Sequence, residues 1–457
     1  MMSDDLRMHS GVACVTKDIV LGSMHHYDWA QIGGAINHPE EGKIVDMSDA
    51  VKNEFKLSDA YLKIYPVSGY GNPDILKQVL EFEKPDAILH YTDPRFWVWF
   101  YQMEHEIRTK IPIFYNNIWD DLPDPMWNEL YYRSCDLILA ISKQTYGINK
   151  RMLPDYKDWQ IKYIPHGINS KRFFPIHKQN NKFREFEHKF KLDKYKFKVL
   201  YSNRNIRRKQ PGDVVLAFKH LVDQLPKKKQ KECALVFHCS PVDDNGTNIP
   251  EVCRNMIPNY NVIFTHHYSG AFSDEQMNYL FNSIDVYINL ASNEGFGLGS
   301  AEALTVGKPI VVNVTGGLQD QCGFYKRDMA PDGNGFTRKY LTADEYIELG
   351  SNHDKKIVDH GEWIKPVWPS NISLQGSPPT PYIFDDRCQY QDAGEALKYW
   401  YDAGPEERER CGELGREFVK DKEIGMDGRE MADRFISAMD TAFEKWTPKP
   451  RYTLEVV

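Results

Sequence analysis

The sequence predicts an α/β protein made of two doubly wound parallel-sheet domains. Three observations predict it. Short, almost wholly apolar runs recur along the chain, amphipathic helical patterns separate them, and the alternation occurs twice, with a polar basic stretch between the two series. Strands of a parallel sheet read as apolar runs because helices cover both of its faces. The length of 457 residues agrees, giving two or three domains at roughly 150 residues each.

In the first series the candidate strands are Lys43–Met47, Tyr61–Tyr65, Ala87–Tyr91, Ile111–Tyr115, Leu137–Ser142 and Ile161–Ile164. A helical pattern over Ile75–Phe82 is closed by Glu83-Lys84-Pro85. The second series reads Lys198–Ser202, Ala234–Cys239, Val262–His266, Asp285–Leu290 and Pro309–Val314. Its first helix, Asp213–Leu225, gathers Val214, Val215, Phe218, Leu221 and Val222 on one face, with Asp213 as the expected N-cap. Pro366 to Pro381 holds five prolines in sixteen residues and is expected to be a loop. From Asp392 the chain is helical, and Met431, Phe435, Met439, Ala442 and Trp446 form a stripe for docking. The expected division is an N-terminal domain 1–170, a basic linker 171–195, a C-terminal domain 196–428, and a helix and tail 429–457 packing back toward the N-terminal domain.

Composition narrows the function classes. No run approaches the ~18 apolar residues of a membrane helix. Met1 to Gly11 carries Asp4 and Asp5 and lacks the apolar core of an export signal. Eight scattered cysteines without a CxxC pair argue against structural zinc and against a disulfide framework, so a reduced, cytoplasmic setting is expected. The net charge of −8 speaks against a nucleic-acid partner. Lys171 to Lys198 is the exception, with ten Lys or Arg against three acids, a local +7 that leaves −15 elsewhere. Phe173, Phe174, Phe183, Phe186, Phe190 and Phe197 interleave with those cations, a pattern that a nucleic-acid or anionic-membrane surface could use and that an inter-domain segment also suits.

Two stretches carry chemistry. In Ile288 to Gly317 an apolar strand runs into Glu294-Gly295-Phe296-Gly297-Leu298-Gly299, followed by a helix over Ser300–Val306 that Gly307 and Pro309 stop. Glycines let backbone approach a ligand, and free N–H groups at Gly297, Leu298 and Gly299 can face a phosphate. Glu294 and Glu302, eight apart, place one carboxylate on the loop and one on the helix, which suits hydroxyl recognition. The spacing is neither a Walker loop nor GxGxxG. In Val199 to Lys209 a strand ends and Arg204, Arg207, Arg208 and Lys209 crowd the following turn, at the sheet edge where doubly wound folds hold ligands. Cations and a helix N-terminus call for an anion; the two acids call for hydroxyls.

Arg204 and Lys209 at a spacing of five, with Glu294-(seven residues)-Glu302 inside EGFGL…EAL, resemble the retaining glycosyltransferases of the GT-B fold, family 4. Further stretches agree: Pro165-His166-Gly167-Ile168-Asn169 with Phe173-Phe174-Pro175 resembles the inter-domain crossover, Leu139–Ser142 the strand before it, Ser283–Val286 the step into the glycine loop, Ser10–Ala13 the N-domain glycine loop, and Gly316-Gly317 the glycine pair near the donor. The match runs roughly from Gly11 to Lys308. The resemblance implies two Rossmann-like domains facing across a cleft and transfer of a sugar from a nucleotide-diphosphate sugar with retention. It implies no cofactor and no metal; the chain has no Asp-x-Asp pair, and the histidine pairs 25–26 and 266–267 lack ligand spacing. It assigns Arg204 and Lys209 to the diphosphate, Glu294 to the hydroxyls of the transferred sugar, Glu302 to the ribose, and Gly11 and the amides of Gly297 and Leu298 to the donor.

The sequence departs from that family in two places. Only Met1 to Ser10, mostly polar, precede Gly11, so either the first strand is expected to be short or the start of the chain to be altered. Where the family carries an N-domain histidine this chain reads Tyr115-Asn116-Asn117-Ile118-Trp119-Asp120-Asp121. Asn117, Trp119 or Asp120 could position the acceptor there, or Asp120 could cap the next helix. His90, at a strand end, is near the expected cleft or is a satisfied buried histidine. The acceptor could be carbohydrate, lipid or protein, with peripheral membrane contact open. The competing class is a non-catalytic nucleotide-sugar or polyanion-binding protein.

Overall fold

The computed structural model describes residues 1–266, 272–329 and 335–451. Eight strands form the first sheet: β1 (Met2–Asp4), β2 (Trp29–Ala35), β3 (Val45–Asp46), β4 (Leu62–Ser68), β5 (Ile88–Tyr91), β6 (Ile113–Asn117), β7 (Leu137–Ala140) and β8 (Ile161–Tyr163). Their order is β3-β4-β2-β1-β5-β6-β7-β8, parallel except for β3 against β4. The second domain contributes β9 (Phe197–Tyr201), β10 (Cys233–Phe237), β11 (Asn261–Phe264), β12 (Val286–Asn289) and β13 (Ile310–Asn313). A ribbon of β14 (Tyr325–Met329) and β15 (Phe336–Tyr340) follows, then β16 (Ile364–Val367) and a second ribbon of β17 (Asn371–Ser377) and β18 (Thr380–Arg387). The second sheet is fully parallel in the order β11-β10-β9-β12-β13-β16.

The apolar runs became central strands because helices bury both faces; every residue of β7, β10, β12 and β13 is buried. Two strands carry no such signal. β1 is Met-Ser-Asp, yet it lies between β2 and β5, in register Met2 to Ile32 and Met2 to His90. β2 contains Gly33 and Gly34, poor strand residues required by close approach: a Cβ would lie 2.9 Å from Asp5 Cβ at the first and 2.6 Å from the Gly69 carbonyl at the second.

Four expectations are corrected. Pro366 to Pro381 is not an irregular loop. Pro366 sits in β16, on the sheet edge where a missing N–H costs nothing, and the other prolines flank or enter the β17–β18 ribbon. Residues 171–195 are not a free linker: helix Asn181–Lys189 and the turn Leu192–Lys194 place Phe173, Phe183, Phe186, Phe190 and Leu192 in the second domain's core. That burial, with Phe197 in β9, removes five of the six phenylalanines from any stacking surface and leaves Phe174 exposed. Asp213 is not an N-cap; the helix Pro211–Asp223 starts after Gln210, and Asp213 in its first turn pairs with Arg387 at 2.8 Å.

The chain crosses between domains twice. The first crossing passes through Gly167 and Ile168; the second follows the long helix Tyr390–Lys420, which is broken at Gly404. The crossings bond to each other, Ile168 N–H to the Met426 carbonyl at 2.9 Å and Gly428 N–H to the Ile168 carbonyl at 3.0 Å. Helix Gly428–Lys445 then buries Met431, Phe435, Ala438, Met439 and Ala442 among Val15, Ile19, Val20 and Phe114 of the first domain. Trp446 lies just past the helix end, in extended backbone. Gly22 permits the approach, since a Cβ there would stand 2.7 Å from Ala432 Cβ. Phe435→Ala is expected to cost about 3 kcal/mol in urea unfolding, the price of a phenyl-sized cavity, and to loosen the first domain, although the residue belongs to the last helix.

Candidate functional site

The site forms where the carboxyl ends of both sheets face each other. After β12 the backbone turns through Ser292, whose N–H donates to the Arg208 carbonyl at 2.8 Å, and Asn293, whose carbonyl accepts from Arg208 Nη1 at 2.5 Å. Gly297, at φ +89°, caps the helix Leu298–Thr305, so its first amides are presented at the loop. Gly316 and Gly317 pack directly on this loop: Gly317 N–H donates to the Glu294 carbonyl at 2.8 Å, and a side chain at either glycine would run into loop backbone.

Lys209 and Glu294 meet at its centre. The Lys209 ammonium donates to Glu294 Oε2, which also accepts from Asn289 Nδ2 at 3.3 Å. Both residues are buried. Burial and the neighbouring Arg208 bring the Lys209 pKa down to about 8 against the pull of Glu294. Burial pushes Glu294 upward, but Lys209 and Arg208 outweigh it and hold the carboxyl below its ordinary range.

Glu302 lies on the first turns of the glycine-capped helix. Burial raises its pKa to about 7; Arg172 opposes the rise, while Asp18 and Asp274 add to it. Arg172 bonds to Asp274 at 3.0 Å and approaches Asp18 at 3.8 Å, tying the crossover to both domains. From the facing domain, Ser10 caps the helix Gly11–Ser23, and a Cβ on Gly11 would lie 3.6 Å from Leu298 Cδ1. The two helix starts therefore oppose each other across the cleft.

The sequence-derived candidates separate on this geometry. Lys209, Glu294, Glu302, Gly297, Leu298 and Gly11 come together. Arg204 does not join them; its guanidinium is largely exposed and reaches Asp243 at 3.4 Å. Arg208 occupies the place nearer Glu294 and also bridges to Asp120 at 3.2 Å. His90 is not an acceptor group: Nδ1 pairs with the Tyr101 hydroxyl at 2.7 Å and Nε2 with Thr92 Oγ1 at 3.1 Å, and burial lowers its pKa to about 3. Asn117 is also internal, bonded to Asn149 at 2.8 Å and accepting from the Trp119 amide at 3.0 Å. Trp119 is buried, with Nε1 donating to the Asp121 carbonyl at 2.6 Å. Asp120 stands at the cleft and caps no helix. His267, one of the paired histidines, lies outside the described residues.

Sequence reasoning missed two residues as site members. Arg208 lay within the cation run, but the motif spacing selected Arg204; Arg172 lay in the segment read as linker. A third feature had no sequence signal. Asn293 Nδ2 donates both to Asp121 Oδ2 and to the Phe384 carbonyl, each at 2.6 Å, joining the glycine loop to the first domain and to the β17–β18 ribbon.

Residues 182–336 match the family model "Glycosyl transferases group 1". Mannosylfructose-phosphate synthase of Agrobacterium fabrum is 23% identical over 192 residues; the match covers 41% of this chain and 40% of that enzyme's length. Sucrose-phosphate synthase of Thermosynechococcus elongatus is similar in structure over 95% of this chain and 94% of its own, with a TM-score of 0.62 at 14% identity. The Anabaena protein HepE, solved with UDP and glucose, gives a TM-score of 0.62 at 12% identity over 95% and 97%. A UDP-forming trehalose-phosphate synthase of Burkholderia xenovorans, solved with glucose-6-phosphate, gives 0.58 at 10% over 94% and 96%. Among the described residues no helix is long and apolar enough to cross a membrane. The second domain thus matches the group 1 glycosyl transferase model over residues 182–336, and the chain as a whole has the two-domain GT-B fold of these solved structures.

Proposed function

We propose that the protein moves a sugar from a nucleotide-diphosphate sugar to an acceptor with retention at the anomeric carbon, without a metal or cofactor. The observation that supports this reading best is the buried Lys209–Glu294 pair beside a glycine-capped helix start. The donor diphosphate takes Lys209, Arg208 and the amides of Gly297 and Leu298; Arg204, at the rim, swings in from Asp243 to meet it. Glu294, relieved of Lys209, accepts hydroxyls of the transferred sugar. Glu302 takes the ribose hydroxyls beside Arg172.

Leaving of the nucleoside diphosphate builds negative charge on its departing oxygen. Once the donor has drawn Lys209 and Arg208 onto the diphosphate beside the helix amides, these groups are in place to stabilise the charge as it develops. The acceptor attacks on the face the phosphate leaves, and a phosphate oxygen takes its proton. No protein nucleophile enters, in contrast to retaining glycosidases with two carboxyl groups about 5 Å apart.

A thermal-shift screen of nucleotide sugars, followed by donor hydrolysis and transfer assays, tests the reading; no shift and no turnover with any donor overturns it. Lys209→Ala and Glu294→Gln are each expected to cut transfer by roughly 10²- to 10³-fold, the scale of losing a transition-state charge partner. Each single change also destabilises the fold by leaving a buried charge, whereas Lys209→Met/Glu294→Gln together recover thermal stability without recovering transfer.

The pH profile has a definite sign. Donor kcat/KM is expected to rise as Glu302 ionises near pH 7 and to fall as Lys209 loses its proton near pH 8, giving a narrow bell for the free enzyme. Glu302→Gln should remove the acid limb and keep the alkaline one; an unchanged acid limb would show that Glu302 does not set it.

A further inference from the structure

From Arg208 the cleft wall continues onto the first domain. Next to Asp120, the Trp119 ring lies 6.0 Å from the Arg95 guanidinium. Arg95 is held by Asp93, by the Pro379 carbonyl at 2.7 Å and by the Thr380 hydroxyl of the β17–β18 ribbon. One residue on, Phe96 stacks on Tyr70, ring centroids 5.0 Å apart and planes within 4°, and keeps 54% of its surface exposed. Asp4 lies in register with Gly34, where a Cβ would stand 3.5 Å from Tyr70 Cδ1, and the Phe96 N–H donates to the Asp93 carbonyl at 3.2 Å, so both acids border this ring pair. Burial first, then Asp4 and Asp93, push the Tyr70 hydroxyl pKa up.

The arginines that reach this wall are already paired. Arg7 clamps Asp5 and Glu40, each at 2.6 Å, and Asp5 also bonds to His38 at 3.0 Å. Arg95 is spent on Asp93 and the ribbon. The Asp4 carboxylate accepts from the Ser10 hydroxyl at 2.7 Å and has no salt bridge among the described residues. A phosphate here would have to break an ion pair to gain a guanidinium, and would then face Asp4, Asp93 and Asp120. Sugar hydroxyls, by contrast, donate to those carboxylates, and the apolar face of a pyranose can cover the open face of Phe96.

Resting on the donor-site reading above, we propose that the acceptor is a neutral, hydroxyl-rich carbohydrate seated on the Tyr70–Phe96 ring pair, with Asp4 and Asp93 as hydroxyl acceptors, and not a phosphorylated sugar. Three of the four similar proteins named above bear phosphate in their names; in this chain the wall is built for uncharged hydroxyls.

Saturation-transfer NMR on the full chain tests this without turnover. The probes are methyl α-glucopyranoside, methyl α-mannopyranoside and maltose, against the 6-phosphates of glucose, mannose and fructose. Each is added at millimolar concentration with the nucleotide that shifts melting most. At least one neutral probe should give a signal that falls fivefold or more in Phe96→Ala and returns in Phe96→Trp, with phosphorylated probes at least tenfold weaker. Where transfer is measurable, Phe96→Ala should raise the acceptor KM at least tenfold, a larger change than in kcat. Stronger binding of a phosphorylated sugar, failure of every neutral probe, or a neutral signal unaffected by Phe96→Ala overturns the proposal. Failure of the donor reading shows separately, as the absence of any nucleotide-induced melting shift.

Discussion

The buried ion pair between Lys209 and Glu294 sets the terms for everything around it. Two charges removed from water are costly, and their attraction repays the cost only when further hydrogen bonds complete both partners. Asn289 bonds to the same Glu294 oxygen, and Arg208 stands beside both residues. The loop that brings them together is drawn tight by backbone bonds from Ser292 to Arg208 and from Gly317 to Glu294. Lys209 and Glu294 neutralise each other. On the proposed reading, an incoming diphosphate would give the ammonium a second anion and release the carboxylate for hydroxyls, so that one exchange of partners would prepare both halves of the donor site.

That arrangement depends on the domains being held in one relation. The crossings bond to each other behind the cleft, and helix Gly428–Lys445 completes the first domain's core. In front, the β17–β18 ribbon reaches from the second domain to the first. Phe384 N–H donates to the Leu122 carbonyl at 2.6 Å, the Tyr382 hydroxyl donates to the Asp124 carbonyl at 3.2 Å, and the Tyr382 ring meets Trp127 edge-on at 4.4 Å. The base of the ribbon holds the donor loop, with Ser292 bonded to Asp385 at 2.5 Å and Thr315 to Asp386 at 2.7 Å. A shift of the acceptor-side loop 117–121 is therefore felt at Asn293, one residue from Glu294.

What could be read from the sequence follows from what each element needed. Strands such as β10 and β12 are legible because burial on both faces demands apolar residues at every position. β1 and β2 are not, since their place in the sheet rests on neighbours far along the chain and on glycines chosen for clearance. The prolines after Ile364 misled because their meaning depends on whether a strand is an edge, which only the assembled sheet decides. In the site, the glycine loop, Lys209 and Glu294 were legible because local spacing fixes them. Arg204 against Arg208 was not, because a spacing carries no side-chain direction. His90 has the right address, at a strand end, and the wrong orientation, with both ring nitrogens turned inward.

Charge is sorted across the cleft, and the sorting separates the two substrates. On the second domain Lys209 and Arg208 sit together beside helix amides and share the Glu294 carboxylate between them. On the first domain Arg7 and Arg95 pair with Asp5, Glu40 and Asp93, which leaves the Asp4 carboxylate, bonded to the Ser10 hydroxyl, and the Tyr70–Phe96 rings as the less engaged chemistry. On the proposed reading, a diphosphate placed against the first domain would meet like charge, which favours one orientation of the donor. The same acids that turn the diphosphate away accept hydroxyls. On that reading, one distribution of charge would therefore orient the donor, receive the acceptor and keep the leaving group beside the cations that stabilise it.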